Sequence, residues 1–279
     1  MSKVYLVGSD IECFLTKEGK FVSSIGRIGG SKADPLATGR RGCFLQEDNV
    51  AAEFNVNPTR DPSEMWDDIV FNMDLLRDMT ATEPLMVPSA NFPEEELDHP
   101  KAREFGCDPD YNAWLDGYVN EAPDSSSNAT LRSCGGHIHI GRTDIAENPD
   151  QAIELIKLLD FYLGVGSILL DNDTKRRKLY GKAGSYRMKD YGVEYRTLSN
   201  FWASRKVLVE WVFANIEKAM TDFDNKITLK SIFEKDGKGF TETYVRNVID
   251  NGDFEGAKQL DKMFNLVTVK TLETAPVTF

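Results

Sequence analysis

Four short stretches of the chain share one pattern: polar, chemically active side chains two residues apart with apolar ones between them. They are Asp10-Ile11-Glu12, Glu53-Phe54-Asn55-Val56-Asn57, His137-Ile138-His139 and Glu194-Tyr195-Arg196. A strand has a period of two, so each stretch sends its polar groups to one face and its apolar groups to the other. Strands of this kind, joined by hairpins and helices, imply an antiparallel sheet whose apolar face is covered by helices. The expected class is α+β, with four carboxylates, two imidazoles and an arginine gathered on the opposite face.

The intervening sequence fits that plan. Val4 to Leu15 reads as the first strand, and residues 16–49 as hairpins and loops. Asn49 to Pro58 reads as another strand, ended by Pro58, which lacks a ladder donor. A helix is expected from Pro62-Ser63, with Ser63 as N-cap and Met65, Ile69, Met73 and Leu76 on its core face. Residues 81–128 are broken by prolines and read as a long loop insertion, of the length that often forms a lid over a substrate. Within it Asp110–Leu115 suggests a short helical turn, Asp124–Asn128 an exposed mobile stretch, and His99 a plain loop histidine. Pro149 to Leu170 reads as one helix and Ser204 to Met220 as another. Short helices around Thr241–Asp250 and Phe254–Phe264 follow. The organisation expected is one catalytic domain over 1–220 and a small helical extension, 221–279, packed on it.

Net charge is −12, which argues against nucleic acid as partner because a phosphate backbone repels an acidic surface. Against that background Lys175 to Lys189 stands out, with seven basic residues and no acidic one. Gly181 and Gly184 in this segment let the backbone approach a ligand, a combination that suits a polyphosphate as well as a solvated basic loop. Cys13, Cys43, Cys107 and Cys134 are scattered, without a CxxC pair, as in a reducing compartment. The N-terminus enters a strand pattern directly, and no apolar run approaches membrane-spanning length. A cytoplasmic protein is the expectation.

Two of only three histidines lie in one stretch, Gly135–Gly141. Alone the pair fits a metal site and ordinary strand histidines equally. Set beside Asp10, Glu12, Glu53 and Glu194, it fits a site that needs a counter-ion, since burying such a set uncompensated is very costly. Mostly oxygen donors suit Mg²⁺ or Mn²⁺ better than structural Zn²⁺. Metal with a phosphate clamp is the equipment of phosphoryl transfer.

In order and spacing, Gly8-Ser9-Asp10-Ile11-Glu12, Glu53-Phe54-Asn55, Gly136-His137-Ile138-His139 and Glu194-Tyr195-Arg196 resemble the glutamine synthetase/glutamate–cysteine ligase superfamily. Gly135–Gly141, Tyr180–Gly184 and Arg196–Trp202 are similar to its phage-type carboxylate–amine ligase branch, and the resemblance covers roughly residues 4 to 220. It implies a curved antiparallel sheet as active-site floor, ATP, and two or three Mg²⁺ or Mn²⁺ ions. ATP would phosphorylate a carboxylate, and an amine would displace phosphate to give an amide. By motif, the metal ligands would be Asp10, Glu12, Glu53, His137 and Glu194. Arg177, Lys182 and Arg187 would contact phosphate, His139 nucleotide or substrate, and Arg196 phosphate or substrate, with Arg196, His139 and Arg187 forming the catalytic set. The substrates would be a small-molecule or peptide carboxylate and an amine, and a homo-oligomer would not be unusual. Two departures stand out: Asp10 is shorter than the usual glutamate, and the second strand has a single clear carboxylate. Two other functions remain open at this stage. A metal-dependent phosphoester hydrolase would use the same face without ATP, and a non-enzymatic phage or host-interaction protein would keep the fold with a decayed site.

Overall fold

Strand β1 (Leu6–Lys17), 12 residues long, is the axis on which the sheet is built. The computed structural model describes residues 4–103, 110–120, 129–171, 173–268 and 271; the 124–128 stretch lies outside them. Along the chain follow β2 (Lys20–Val22), β3 (Leu36–Ala37), β4 (Phe44–Asp48), β5 (Ala51–Thr59), β6 (Glu83–Leu85) and β7 (Ser89–Asn91). Next come β8 (Tyr111–Asn112), β9 (Tyr118–Val119), β10 (Leu131–Ser133), β11 (Gly136–Gly141), β12 (Ser185–Lys189) and β13 (Gly192–Tyr195). The helices are α1 (Pro62–Thr80), α2 (Thr143–Ala146), α3 (Pro149–Leu159), α4 (Val165–Leu170), α5 (Arg176–Leu179), α6 (Lys206–Asp224), α7 (Leu229–Asp236), α8 (Glu242–Asn251) and α9 (Phe254–Phe264).

The result is a mixed α/β architecture around a large antiparallel sheet. Its order is β3-β4-β5-β1-β11-β13-β12-β8-β9, with β2 and β6 pairing the far half of β1. Register brings the four polar stretches together. Asp10 faces His137 on one side and Asn55 on the other, Glu12 faces Glu53, and His139 faces Glu194. Residues directly opposite in a ladder share a face, so these groups stand on one surface. The alternate residues Ile11, Phe54, Ile138, Ile140, Val193 and Tyr195 are buried in the main core. Helices α1 and α3 pack on the sheet, and α6 packs against both. Phe233, Val245, Ile249 and Leu260 of the last three helices belong to the same core. A smaller cluster around Phe14, Phe92, Leu97 and Cys134 supports the two-stranded ribbon of β7 and β10.

Several local expectations need correction. Pro58 does not end β5: the β1–β5 register shifts between Val7 and Ser9, and an irregularity there accommodates a residue with no N–H. The cap of α1 is Asp61, which accepts from Ser63 N–H at 2.8 Å. Pro62 fills the first helical position, so the cap must precede it. The 149–170 helix is interrupted by a π-helical turn, Asp160–Gly164. There the fully buried Asp160 accepts from Trp114 Nε1 (2.6 Å), Gly184 N–H (2.6 Å), Tyr195 O–H (2.8 Å) and Thr197 Oγ1 (3.1 Å). Burial still pushes its carboxyl up to about 7. Helix α6 starts at Lys206, because Asn200–Ser204 winds as a 3₁₀ turn capped by Ser199. The expected turn in 110–115 is present as a 3₁₀ turn, Ala113–Leu115, capped by Asn112. The region after residue 221 holds one helix more than expected, α7, closed by a Thr228/Ser231 capping box.

Gly136 opens β11 where Trp202 crosses it: Trp202 Nε1 donates to Gly136 O at 3.0 Å. A Cβ there would lie 2.6 Å from Trp202 Nε1 and 2.7 Å from Ser199 O. Gly136→Ala is therefore expected to lower stability by about 2 kcal/mol, read as a lower denaturant midpoint at unchanged slope.

Candidate active site

Strands β1, β11 and β13 lie side by side, and their cross-strand pairing gathers Asp10, His137 and Glu194. Ligand atoms of these three all lie within 4.8 Å of one another, as a metal ion requires. His137 Nδ1 is 3.1 Å from Asp10 Oδ1 and 3.6 Å from Glu194 Oε1. The ring reaches that position because Gly135 has no side chain: a Cβ there would stand 2.3 Å from His137 Nε2. Asp10 Oδ1 also meets His139 Nε2 at 3.1 Å, while His139 Nδ1 is hydrogen-bonded to the Tyr191 hydroxyl.

The ionisation pattern follows from these neighbours. Burial would raise the Asp10 carboxyl, but the two imidazoles outweigh it and hold it well below the ordinary range. Burial and Asp10 would likewise raise Glu194; Arg196 and the histidines instead bring it down to about 2. Burial, reinforced by Arg196, lowers the His137 imidazole. For His139, burial is overcome by Asp10, and the imidazole rises.

A second group of carboxylates adjoins the first. Glu12 accepts from Gly135 N–H at 2.7 Å, and Glu53 from Gln46 Nε2 at 2.7 Å. Burial and the charge of Asp48 push Glu12 up to about 8. Burial, with Asp10, Asp48 and Glu12, raises Glu53 well above its usual value. Asp48, at the end of β4, thus supplies a further carboxylate beside the one on β5. Sequence reading missed it because 44–48 shows no polar alternation like that of the other strands.

Facing these acids is a set of cations. Arg196 Nη1 donates to Glu194 and lies 3.3 Å from His137 Nδ1; Lys189 Nζ is 2.7 Å from Glu194 Oε2, and Arg187 Nη1 is 3.9 Å from Glu194 Oε1. Asp10, Glu12, Glu53, His137, Arg187 and Arg196 all line one cavity, together with Asp48, Lys32, Arg132, Arg176 and Lys189. Glu194 stands fully buried behind it, and His139 reaches the site through Asp10.

Two residues expected at the phosphate are not brought there. Arg177 turns inward, donating to Ser167 Oγ at 3.0 Å and lying 3.7 Å from Asp171, and Lys182 is exposed and does not line the cavity. The neighbouring Arg176 takes the place instead. It is buried, donates to Thr197 O (3.1 Å) and Arg196 O (3.5 Å), and its Nε has no hydrogen-bond partner among the described residues. Burial lowers its guanidinium to about 10. Gly181, at φ +73°, makes room for it, since a Cβ would fall 2.0 Å from Arg176 Nη1. Residues 176 and 177 point about 100° apart on a helix. Leu179, which shares the face of Arg176 at i,i+3, also lines the cavity.

Residues 126–239 match the family of phage phiEco32-like COOH.NH2 ligases, type 2. The similarity is to a carboxylate–amine ligase. It covers less than half of the chain, including the histidine strand, Arg176, Glu194 and Arg196, and it bears out the expectation of a carbon–nitrogen ligase. No curated protein matches the chain. A bifunctional glutathione synthetase from Pasteurella multocida superposes with a TM-score of 0.40 at 11% identity, over 96% of this chain and 50% of that one. The chain thus spans about half the length of that enzyme. No helix among the described residues is long and apolar enough to cross a membrane.

The donor set fits a hard divalent cation: two carboxylates and one imidazole nitrogen in the first cluster, and three carboxylates beside it. Calorimetric titration with Mn²⁺ should show binding that weakens at least about tenfold in Asp10→Asn and His137→Asn, with Lys182→Ala unchanged. The raised carboxyls give the sign of the pH dependence. Below about 8 Glu12 carries a proton that a cation must displace. Affinity should therefore increase from pH 6 to 8.5, with proton uptake by the buffer on binding that fades toward the upper end.

Proposed function

We propose that the protein is an ATP-dependent carboxylate–amine ligase that forms an amide through an acyl phosphate, on a glutamine-synthetase-like sheet. The observation that carries this reading is the juxtaposition of the Asp10–His137–Glu194 cluster with a cavity lined by both carboxylates and arginines. A phosphoester hydrolase needs the metal donors but has less use for so many cations.

Asp10, His137 and Glu194 would hold one Mg²⁺ or Mn²⁺, and Glu12, Glu53 and Asp48 would hold a second. Bound metal and ATP would supply charge neutralisation and the phosphoryl group. The chain's own residues do the rest. Arg196, pinned by Glu194 and 3.9 Å from Asp110 through Nε, presents a fixed guanidinium to the transferring group. Arg187 and Arg176 extend that positive wall, the latter with its Nε available to an anion. His139, held between Asp10 and Tyr191, keeps the Asp10 carboxylate ionised and oriented toward the site.

In the overall reaction a substrate carboxylate oxygen attacks the terminal phosphorus and ADP leaves. An amine nitrogen then attacks the acyl carbon, loses a proton, and phosphate leaves. Carboxylates are poor electrophiles, and this order gives them a leaving group. The catalytic unit is residues 1–220 with the helices beyond packed on it, and 81–128 serves the choice of substrate, a small-molecule or peptide carboxylate.

Hydroxylamine can stand in for the amine. With Mg²⁺, ATP and an acid substrate, the protein should form a hydroxamate together with equimolar ADP and phosphate. Glu194→Gln and Arg196→Met should each reduce the rate by about 10²-fold or more, and each should also lower the thermal midpoint, because the remaining partner is left buried and uncompensated. Failure of the wild-type protein to bind ATP by calorimetry, with Mg²⁺ and Mn²⁺ both tried, would sink the reading.

A further inference from the structure

The cavity-lining cations other than Lys32 come from β10, α5, β12 and the end of β13. Lys32 instead comes from the side of the sheet that carries β4 and β5, where Asp48, Asn49 and Ala51 of their hairpin also line the cavity. It arrives on residues 23–35, the glycine-containing connection between β2 and β3.

This loop is fastened by one side chain. The Glu47 carboxylate accepts from the backbone N–H groups of Gly26 (2.8 Å), Gly29 (3.1 Å) and Ile28 (3.3 Å). Its own N–H donates to Gly30 O at 3.0 Å. Three convergent backbone donors make a nest for an anion, and here Glu47 fills it from within the protein. Ile28 is buried in the main core beneath. Gly30 lies so close to the hairpin that a Cβ would stand 2.3 Å from Leu45 O. Beyond this neck, Ser31 and Asp34 exchange backbone hydrogen bonds of 3.0 and 3.1 Å, closing a tight turn with Lys32 inside it. Glu47 and Asp48 are adjacent on β4, one gripping the loop and the other lining the cavity, so the hairpin sets the loop and the wall together.

We propose that Lys32 binds the terminal phosphoryl group of the nucleotide, from the side opposite Arg187 and Arg196, and that Glu47 is the residue that positions it. The inference rests on the ligase reading. An anion lying between cations at both ends of the cavity must accept from several directions. A terminal phosphate has three non-bridging oxygens for this, whereas a carboxylate has two in one plane. A lysine suits the role as a compact point charge on a flexible stem. Glu12, Asp48 and Glu53 line the same cavity, so its charge also limits repulsion between them and the incoming polyphosphate.

The test is calorimetric binding of ATP and of ADP in Mg²⁺, without carboxylate substrate, to the wild-type chain and to Lys32→Ala, Lys32→Arg, Glu47→Ala and the Lys32→Ala/Glu47→Ala double variant. The proposal expects the wild type to prefer ATP over ADP, and Lys32→Ala to reduce that preference by about tenfold with ADP affinity unchanged. Lys32→Arg should keep most of it. Glu47→Ala should lose as much as Lys32→Ala, and the double variant no more than either single one, because both act through the same ammonium. A loss of fold stability alone would lower both nucleotides' affinities together and would not move their ratio. An unchanged ratio in Lys32→Ala overturns the proposal and leaves the ligase reading standing. Losses that add in the double variant overturn the positioning role of Glu47. A wild type that binds neither nucleotide overturns the ligase reading and this inference with it.

Discussion

Glu194 has no contact with solvent, yet its surroundings keep it ionised, and the site is arranged around that fact. A buried carboxylate left alone would be very costly and would take up a proton instead. Here Arg196 and Lys189 pair with it directly, and His137 and Arg187 stand within 4.0 Å. These partners come from β11, β12 and the end of β13, so the charge can be tolerated only while three strands keep their register. A slip of one residue would send every one of these groups into the apolar core and the core residues into the cavity. Charge compensation on one face and hydrophobic burial on the other therefore select the same alignment.

Asp160 performs a related service behind the sheet. Its carboxylate gathers four donors from the 3₁₀ turn at Trp114, the loop at Gly184, and Tyr195 and Thr197 flanking Arg196. The π-helical turn is the local distortion at which Asp160 stands. In effect the helical layer grips the strand end that carries Arg196, and the loop containing Gly181 and Gly184, at one point. Precision at the cavity thus depends on a buried polar network as well as on packing.

The sheet and its charged face were legible because alternation with a period of two is a direct consequence of strand geometry. Asp10/Glu12, His137/His139 and Glu194/Arg196 needed no tertiary knowledge to be assigned a common face. What stayed hidden depends on contacts between segments. Arg176 and Arg177 are equivalent in a run of basic residues until the phase of a single helical turn against Ser167 and Asp171 is known. Asp48 becomes a site residue only when β4 pairs with β5, and Lys32 only when Glu47 gathers the loop. Pro58 misled for the opposite reason: the rule that it ends a strand is sound, and a shift in the partner's register relieves it.

The pairing of β1 with β11 also bears on how the molecule is made. Asp10 and His137 are neighbours in space but 127 positions apart along the chain, and Asn200 reaches back 188 positions to the carbonyl of Glu12. Contacts of such span are reached late, since the entropy of closing long loops must be overcome before they stabilise anything. During synthesis β1 emerges with its charged face and hydrophobic face both uncovered, and must wait for more than a hundred residues before β11 can dock. The earlier partner β5, with α1 packed on it, gives β1 a shelter in the meantime. Assembly would then proceed from that N-terminal unit outward, with the reactive centre completed among the last events rather than the first.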